Sequence, residues 1–158
     1  MTIQITADAG HRRVAFAVAL AVILSGAFGP APRAQRTAPS VTVYKSPTCG
    51  CCTKWVDHMR ANGFDVKATN VEDMASVKQK YGVPDKAGSC HTSLVGGYVI
   101  EGHVPADVVK RLLAERPKVA GLAVPGMPAS APGMDIPGQP YTIVGFDRAG
   151  QLTVYERR

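Results

Sequence analysis

Val41-Thr42-Val43-Tyr44-Lys45-Ser46-Pro47-Thr48-Cys49-Gly50-Cys51-Cys52-Thr53-Lys54-Trp55-Val56-Asp57-His58-Met59-Arg60-Ala61-Asn62-Gly63 is the stretch that decides the fold. Its first four residues alternate as a short strand does, and Ser46-Pro47-Thr48 supplies turn and capping chemistry. A helix from about Cys51 to Ala61 follows, and Asn62-Gly63 stops it. Trp55, Val56 and Met59 fall on one side of that helix and are expected to face a core, while His58 falls on the polar side and is expected to be solvated. The cysteines therefore sit at a helix N-terminus. Exposed backbone N–H groups and the helix dipole favour anions there, so these thiols should ionise more readily than a free cysteine.

Working outward toward the C-terminus, Phe64 to Ala68 reads as a second strand, parallel to the first because a helix separates them. Asn70 is placed to cap a second helix, with Met74, Val77 and Tyr81 as its core face and Gly82 ending it in the left-handed conformation. After a polar turn, Thr92 to Val95 and Gly97 to Ile100 meet at Gly96-Gly97 as a hairpin. Pro105 opens a helix whose Val108, Val109, Leu112 and Leu113 form an apolar stripe, and Pro117 ends it. Gly121 to Pro140 is rich in Gly and Pro and shows no period, whereas Tyr141 to Phe146 and Leu152 to Tyr155 alternate around Asp147-Arg148-Ala149-Gly150 as a terminal hairpin. The order βαβα-ββ-α, with a cysteine motif between first strand and first helix, is thioredoxin-like. The fold class expected is α/β: a mixed central sheet flanked by helices, with a C-terminal β-hairpin.

Toward the N-terminus, His11, Arg12 and Arg13 precede an uncharged apolar run from Val14 to Phe28, and Ser25-Gly26-Ala27 offers small residues for cleavage. That run has 15 residues, against the roughly 20 a spanning helix needs. A cleaved signal peptide over residues 1–28 is expected ahead of an uncleaved anchor, with no stable membrane span in the mature chain. Residues 29–40, rich in Pro, Ala and Arg, read as a flexible linker, and residues 41–158 as one domain. The net charge of +6 comes from scattered basic residues with no Lys/Arg cluster interleaved with aromatics, which argues against nucleic-acid binding.

Four cysteines in an exported protein would ordinarily form two structural disulfides, but their spacing suits other chemistry. Cys49 and Cys52 make a C-x-x-C pair suited to dithiol–disulfide exchange, which has no use for the additional thiol of Cys51. Cys90, in Ser89-Cys90-His91-Thr92, stands just before a strand, where thioredoxin-like oxidoreductases place a cis-proline against the cysteine pair. That placement would bring a fourth sulfur beside the first three. Three thiolates within four residues crowd a single tetrahedral zinc ion but suit bridging between several soft ions, and the usual iron–sulfur spacings are missing. Copper as Cu(I) in a polynuclear thiolate cluster is therefore placed ahead of zinc and iron–sulfur. An oxidoreductase acting through Cys49 and Cys52 is the alternative, and a domain with structural disulfides and no metal also stays open.

Met127 and Met134 stand seven residues apart in the irregular segment, as soft ligands for Cu(I) or as apolar plugs holding the loop to the core. His91 adjoins Cys90; His103, in Glu101-Gly102-His103-Val104-Pro105, is expected to leave the sheet away from Cys90, with Glu101 as its orienting partner.

Taken together, Pro47-Thr48-Cys49-Gly50-Cys51-Cys52 with Trp55, Ser89-Cys90-His91-Thr92, Tyr98 to Pro105, and Gly121 to Pro128 ending in Pro132-Gly133-Met134 resemble the CopG-type family of exported copper-resistance proteins, from Val41 to about Arg158. The resemblance implies a thioredoxin-like fold, a Cu(I)–thiolate cluster on Cys49, Cys51, Cys52 and Cys90, and a role in periplasmic copper handling, with other periplasmic copper-handling proteins as partners. By the same resemblance Met127, Met134, His91 and His103 become site residues. Ala129-Ser130-Ala131 departs from the Gly-Ser expected in that loop.

Overall fold

A computed structural model describes residues 37–158. The expected signal peptide, and the expected linker as far as Arg36, lie outside the described residues. The elements run β1 (Ser40–Lys45), α1 (Gly50–Ala61), β2 (Asp65–Asn70), α2 (Met74–Lys80), a 3-10 turn (Asp85–Ala87), β3 (His91–Val95), β4 (Tyr98–Glu101), α3 (Ala106–Glu115), β5 (Gly121–Ala123), β6 (Thr142–Phe146) and β7 (Leu152–Arg157). The seven strands form one mixed sheet in the order β2-β1-β3-β4-β5-β6-β7. β1 runs parallel to β2, as a helical crossover requires, and antiparallel to β3. Pro39 O already accepts from Asp65 N, so the sheet takes in the last residues assigned to the linker.

Strand alternation divides the sheet into two unlike faces. Val41 and Val43 point to one side, into a core with Trp55, Val56 and Met59 of α1 and Val108, Val109 and Leu112 of α3. Tyr44 points to the other, where it stacks on Tyr81 at the end of α2 with ring centroids 5.5 Å apart. Helices thus cover both faces. Burying one such Val or Leu stabilises the fold by about 1.5–3 kcal/mol, so the α1–α3 side holds the sheet together.

Two elements depart from the sequence expectation. Asn70 closes β2 and does not cap α2; the cap is Asp73, whose carboxylate accepts from Ser76 N at 3.0 Å and Ser76 Oγ at 2.5 Å. No residue of α2 is buried, and Met74, Val77 and Tyr81 are only half-buried, because the helix lies over the polar row Tyr44, Thr92 and Glu101. The segment expected to be irregular from Gly121 contributes β5, parallel to β4 and antiparallel to β6. Glycine is required at its first position, since a Cβ on Gly121 would sit 2.2 Å from Val99 O and 2.5 Å from Phe146 Cζ. The C-terminal hairpin forms as expected, and Arg111–Glu156 and Arg158–Asp107 ion pairs fasten β7 and the residue that follows it to α3. Among the described residues no helix is long and apolar enough to cross a membrane.

Candidate metal centre

The C-terminal end of β1 and the N-terminal end of β3 are neighbours because the two strands are antiparallel, with Lys45 opposite His91. The turn after β1 carries Cys49 to the start of α1, and the turn before β3 carries Cys90 to the same edge. Ligand atoms of Cys49, Cys51, Cys52 and Cys90 all lie within 4.8 Å of one another. Cys49 itself caps α1: its Sγ accepts from Cys52 N at 3.3 Å, a role the sequence had assigned to the residues before it.

Cys49 and Cys52 form a disulfide, and Cys51 and Cys90 are free thiols. A disulfide sulfur has no proton, so at the 3.5 Å contact between Cys51 Sγ and Cys49 Sγ it is Cys51 that donates. Burial, followed by the neighbouring Cys51, pushes the Cys90 thiol up to about 11, so Cys90 is protonated at neutral pH while no cation faces it.

His103 does not leave the sheet away from Cys90. The chain reverses at Gly102, with φ +69°, and Gly102 N donates to His91 O at 2.8 Å. The reversal brings His103 Nε2 to 2.9 Å from Cys90 Sγ. His103 Nδ1 is 2.7 Å from Pro132 O, a carbonyl that can only accept, so the proton is on Nδ1 and the Nε2 lone pair faces the sulfur. A backbone carbonyl on the far nitrogen is how ligating imidazoles are oriented. Glu101 has no part in this; its partners are Ser89, Thr92 and Lys78.

His91 Nδ1 lies 3.5 Å from Cys90 Sγ, and the ring packs on Trp55 with centroids 4.5 Å apart. The ligand atoms of Cys90, His91 and His103 also lie within 4.8 Å of one another. Burial lowers both imidazole pKa values, that of His91 furthest, which keeps them in the neutral form a metal needs. His58 keeps part of its surface in solvent, as expected, but is not merely solvated: its Nε2 accepts from Ala106 N at 3.1 Å at the start of α3.

The loop bearing the methionines is strapped over this edge. Gly126 N donates to Gly88 O at 2.9 Å, and Ser89 Oγ donates to Gly126 O. Farther along, Pro132 O holds His103, and Gly133 lies so close to α1 that a Cβ would meet Cys51 O and Trp55 N at 2.9 Å. Met134 packs half-buried against the core, whereas Met127 is 58% exposed just beyond the Ser89 attachment. Sequence reasoning missed Lys78, Thr92 and Gly133. The one local signal was an acidic residue ending the apolar run Tyr98-Val99-Ile100.

Neutral imidazole nitrogens and cysteine sulfurs form a soft donor set that fits Cu(I) and also zinc. A family model described as a protein of unknown function, DUF411, matches residues 87–134, from the turn before Cys90 through Met134. Two solved structures are similar over nearly their whole length. One, described as copper resistance protein copG, form 2, is 41% identical with a TM-score of 0.72, covering 77% of this chain and 98% of that one. The other, form 1 of copper resistance protein copG, is 42% identical with a TM-score of 0.71, covering 75% and 96%. No curated protein matches the chain.

Proposed function

Since the chain belongs to the family of the copper resistance protein copG, we propose that it is an exported, periplasmic protein that holds Cu(I) as a polynuclear cluster on the thiolates of Cys49, Cys51, Cys52 and Cys90. The observation that carries this reading is the gathering of all four sulfurs within 4.8 Å from two separate turns. Bridging thiolates share charge among several soft ions, which suits sulfurs too close together to serve separate ones. His103 and His91 border the cluster through Cys90, and Met127 and Met134 are the thioethers of the strap. The strand order β2-β1-β3-β4, with its parallel and antiparallel pairings, supports a thioredoxin-like core. Export rests on the N-terminal apolar run.

Loading requires the Cys49–Cys52 disulfide to be reduced by two electrons and two protons to two thiols. Each thiol then gives up a proton as it takes copper. The Cys49–Cys52 bond favours a second reading, in which the pair is a redox couple. Oxidation of the dithiol releases two electrons and two protons, enough to reduce two Cu(II) ions to Cu(I).

Copper and free thiols are counted on the mature domain after anaerobic reduction and Cu(I) loading, beside Cys90→Ser. Several coppers per chain, falling sharply in the variant, are expected. No retained copper, with Cys49 and Cys52 cycling rapidly between dithiol and disulfide, overturns the storage reading in favour of the redox one.

A further inference from the structure

Glu101 is a carboxylate with no exposed surface, at the end of β4 and outside the cysteine–histidine constellation. Three groups donate to it: Ser89 N and Thr92 Oγ1, each at 2.7 Å, and Lys78 Nζ at 2.5 Å. Lys78 Nζ also reaches Thr92 Oγ1 at 3.3 Å. A buried ion pair of this kind contributes little net stability compared with apolar side chains in its place, so its presence asks for another explanation.

Its geometry supplies one. Ser89 precedes Cys90 and lies outside β3, whose ladder with β4 begins at the pair Thr92 and Glu101. Its N–H therefore has no ladder partner, and the side chain of Glu101, reaching back past Thr92, accepts it instead. On the other side Ser89 is closed in by Gly102, where a Cβ would stand 2.2 Å from Ser89 Oγ and 2.5 Å from Ser89 Cβ. Ser89 is thus gripped between the Glu101 carboxylate and the Gly102 backbone, with Cys90 as the next residue. Cys90 is also the one sulfur of the four that does not come from the cap or first turn of α1.

We propose that Glu101, backed by Lys78 of α2 and Thr92 of β3, is a positioning residue that fixes the Ser89-Cys90 turn and so sets the Cys90 thiol against Cys49, Cys51 and Cys52. The proposal rests on the copper-site reading for its purpose, but the placement of Cys90 can be read without metal. Glu101→Gln keeps the shape of the side chain and removes its charge, which weakens its hold on both Lys78 and Ser89 N. Released from that hold, Cys90 is expected to open locally more often than the rest of the site.

The test is alkylation of the reduced, metal-free mature domain by iodoacetamide, followed residue by residue with mass spectrometry below the thermal transition. Glu101→Gln is expected to speed modification of Cys90 by about threefold or more while leaving Cys51 unchanged. A uniform rise at every cysteine indicates general loosening and overturns the proposal, as does an unchanged rate at Cys90. Lys78→Gln, on the half-exposed helix, gives the same readout with a smaller shift should Glu101→Gln fail to fold. Copper retention completes the test as a double-mutant cycle with Cys90→Ser. A residue that acts through Cys90 has no further effect once Cys90 is serine, whereas a full additional loss there refutes the assignment. If the wild-type protein holds no copper, the function proposed above fails, and the alkylation rates still decide the role of Glu101.

Discussion

Gly133→Ala is the substitution whose cost follows most directly from the geometry. Gly133 has φ +88°, and a Cβ there would meet Cys51 O and Trp55 N at 2.9 Å and Trp55 Cα at 3.3 Å. All three atoms are backbone of α1, so no side chain can swing aside. Left-handed backbone costs a residue with a Cβ about 1–2 kcal/mol, and overpacking against a rigid neighbour adds about 1–3 kcal/mol. The variant should therefore lose about 2–5 kcal/mol, a large share of a typical 5–15 kcal/mol. Gly126→Ala is the control: its φ is +68° but nothing lies within 4 Å of a Cβ there, so it should show the conformational cost alone. Urea unfolding of the reduced, metal-free domain measures both. With slopes of about 1–3 kcal/mol per molar, the midpoint of Gly133→Ala should fall by about 1–2 M and lie well below that of Gly126→Ala. Equal midpoints for the two variants would mean that the strap does not rest on α1, and that the Pro132–His103 bond next to it is not held by packing.

Trp55→Phe removes the indole N–H that satisfies Val104 O at 2.9 Å in the buried core. Loss of that donor should cost about 1–3 kcal/mol, with roughly another 1 kcal/mol for the space left beside His91; a melt followed by circular dichroism that matches wild type would refute the packing. For Asp73→Asn the expected signature is in pH. The hydrogen bond from the Ser76 side chain, and then that from its backbone, lowers the Asp73 pKa below its ordinary 3.8. A depressed carboxylate stabilises the fold above its unfolded pKa and loses that contribution as pH falls through the folded value. Wild type should exceed Asp73→Asn in stability at neutral pH, and the gap should shrink in acid below the ordinary carboxylate range; a constant gap in urea unfolding at the two pH values would exclude the ionised cap.

What the sequence could and could not disclose follows from the range over which each feature is decided. β1, α1, the β3–β4 hairpin and the apolar stripe of α3 are fixed by local alternation and helical period, and all four form where expected. β5 is three residues long, too short to show alternation, and owes its existence to β4 and β6 on either side. The half-exposed face of α2 has the same origin. A helix pattern reports that a face is covered, not whether apolar or polar groups lie beneath it, and beneath α2 lie Thr92 and Glu101. At the candidate site the four cysteines were legible because C-x-x-C chemistry at a helix start is local and β3 returns antiparallel to β1. His103 was misplaced because its position depends on a single positive φ at Gly102. Gly102 carried the signal, as a glycine between an acidic residue and a histidine at the end of a strand. It is the same residue whose missing Cβ lets Ser89 approach. A side chain there would strain the turn and push against Ser89, so one glycine serves both the histidine and the cysteine that meet at 2.9 Å.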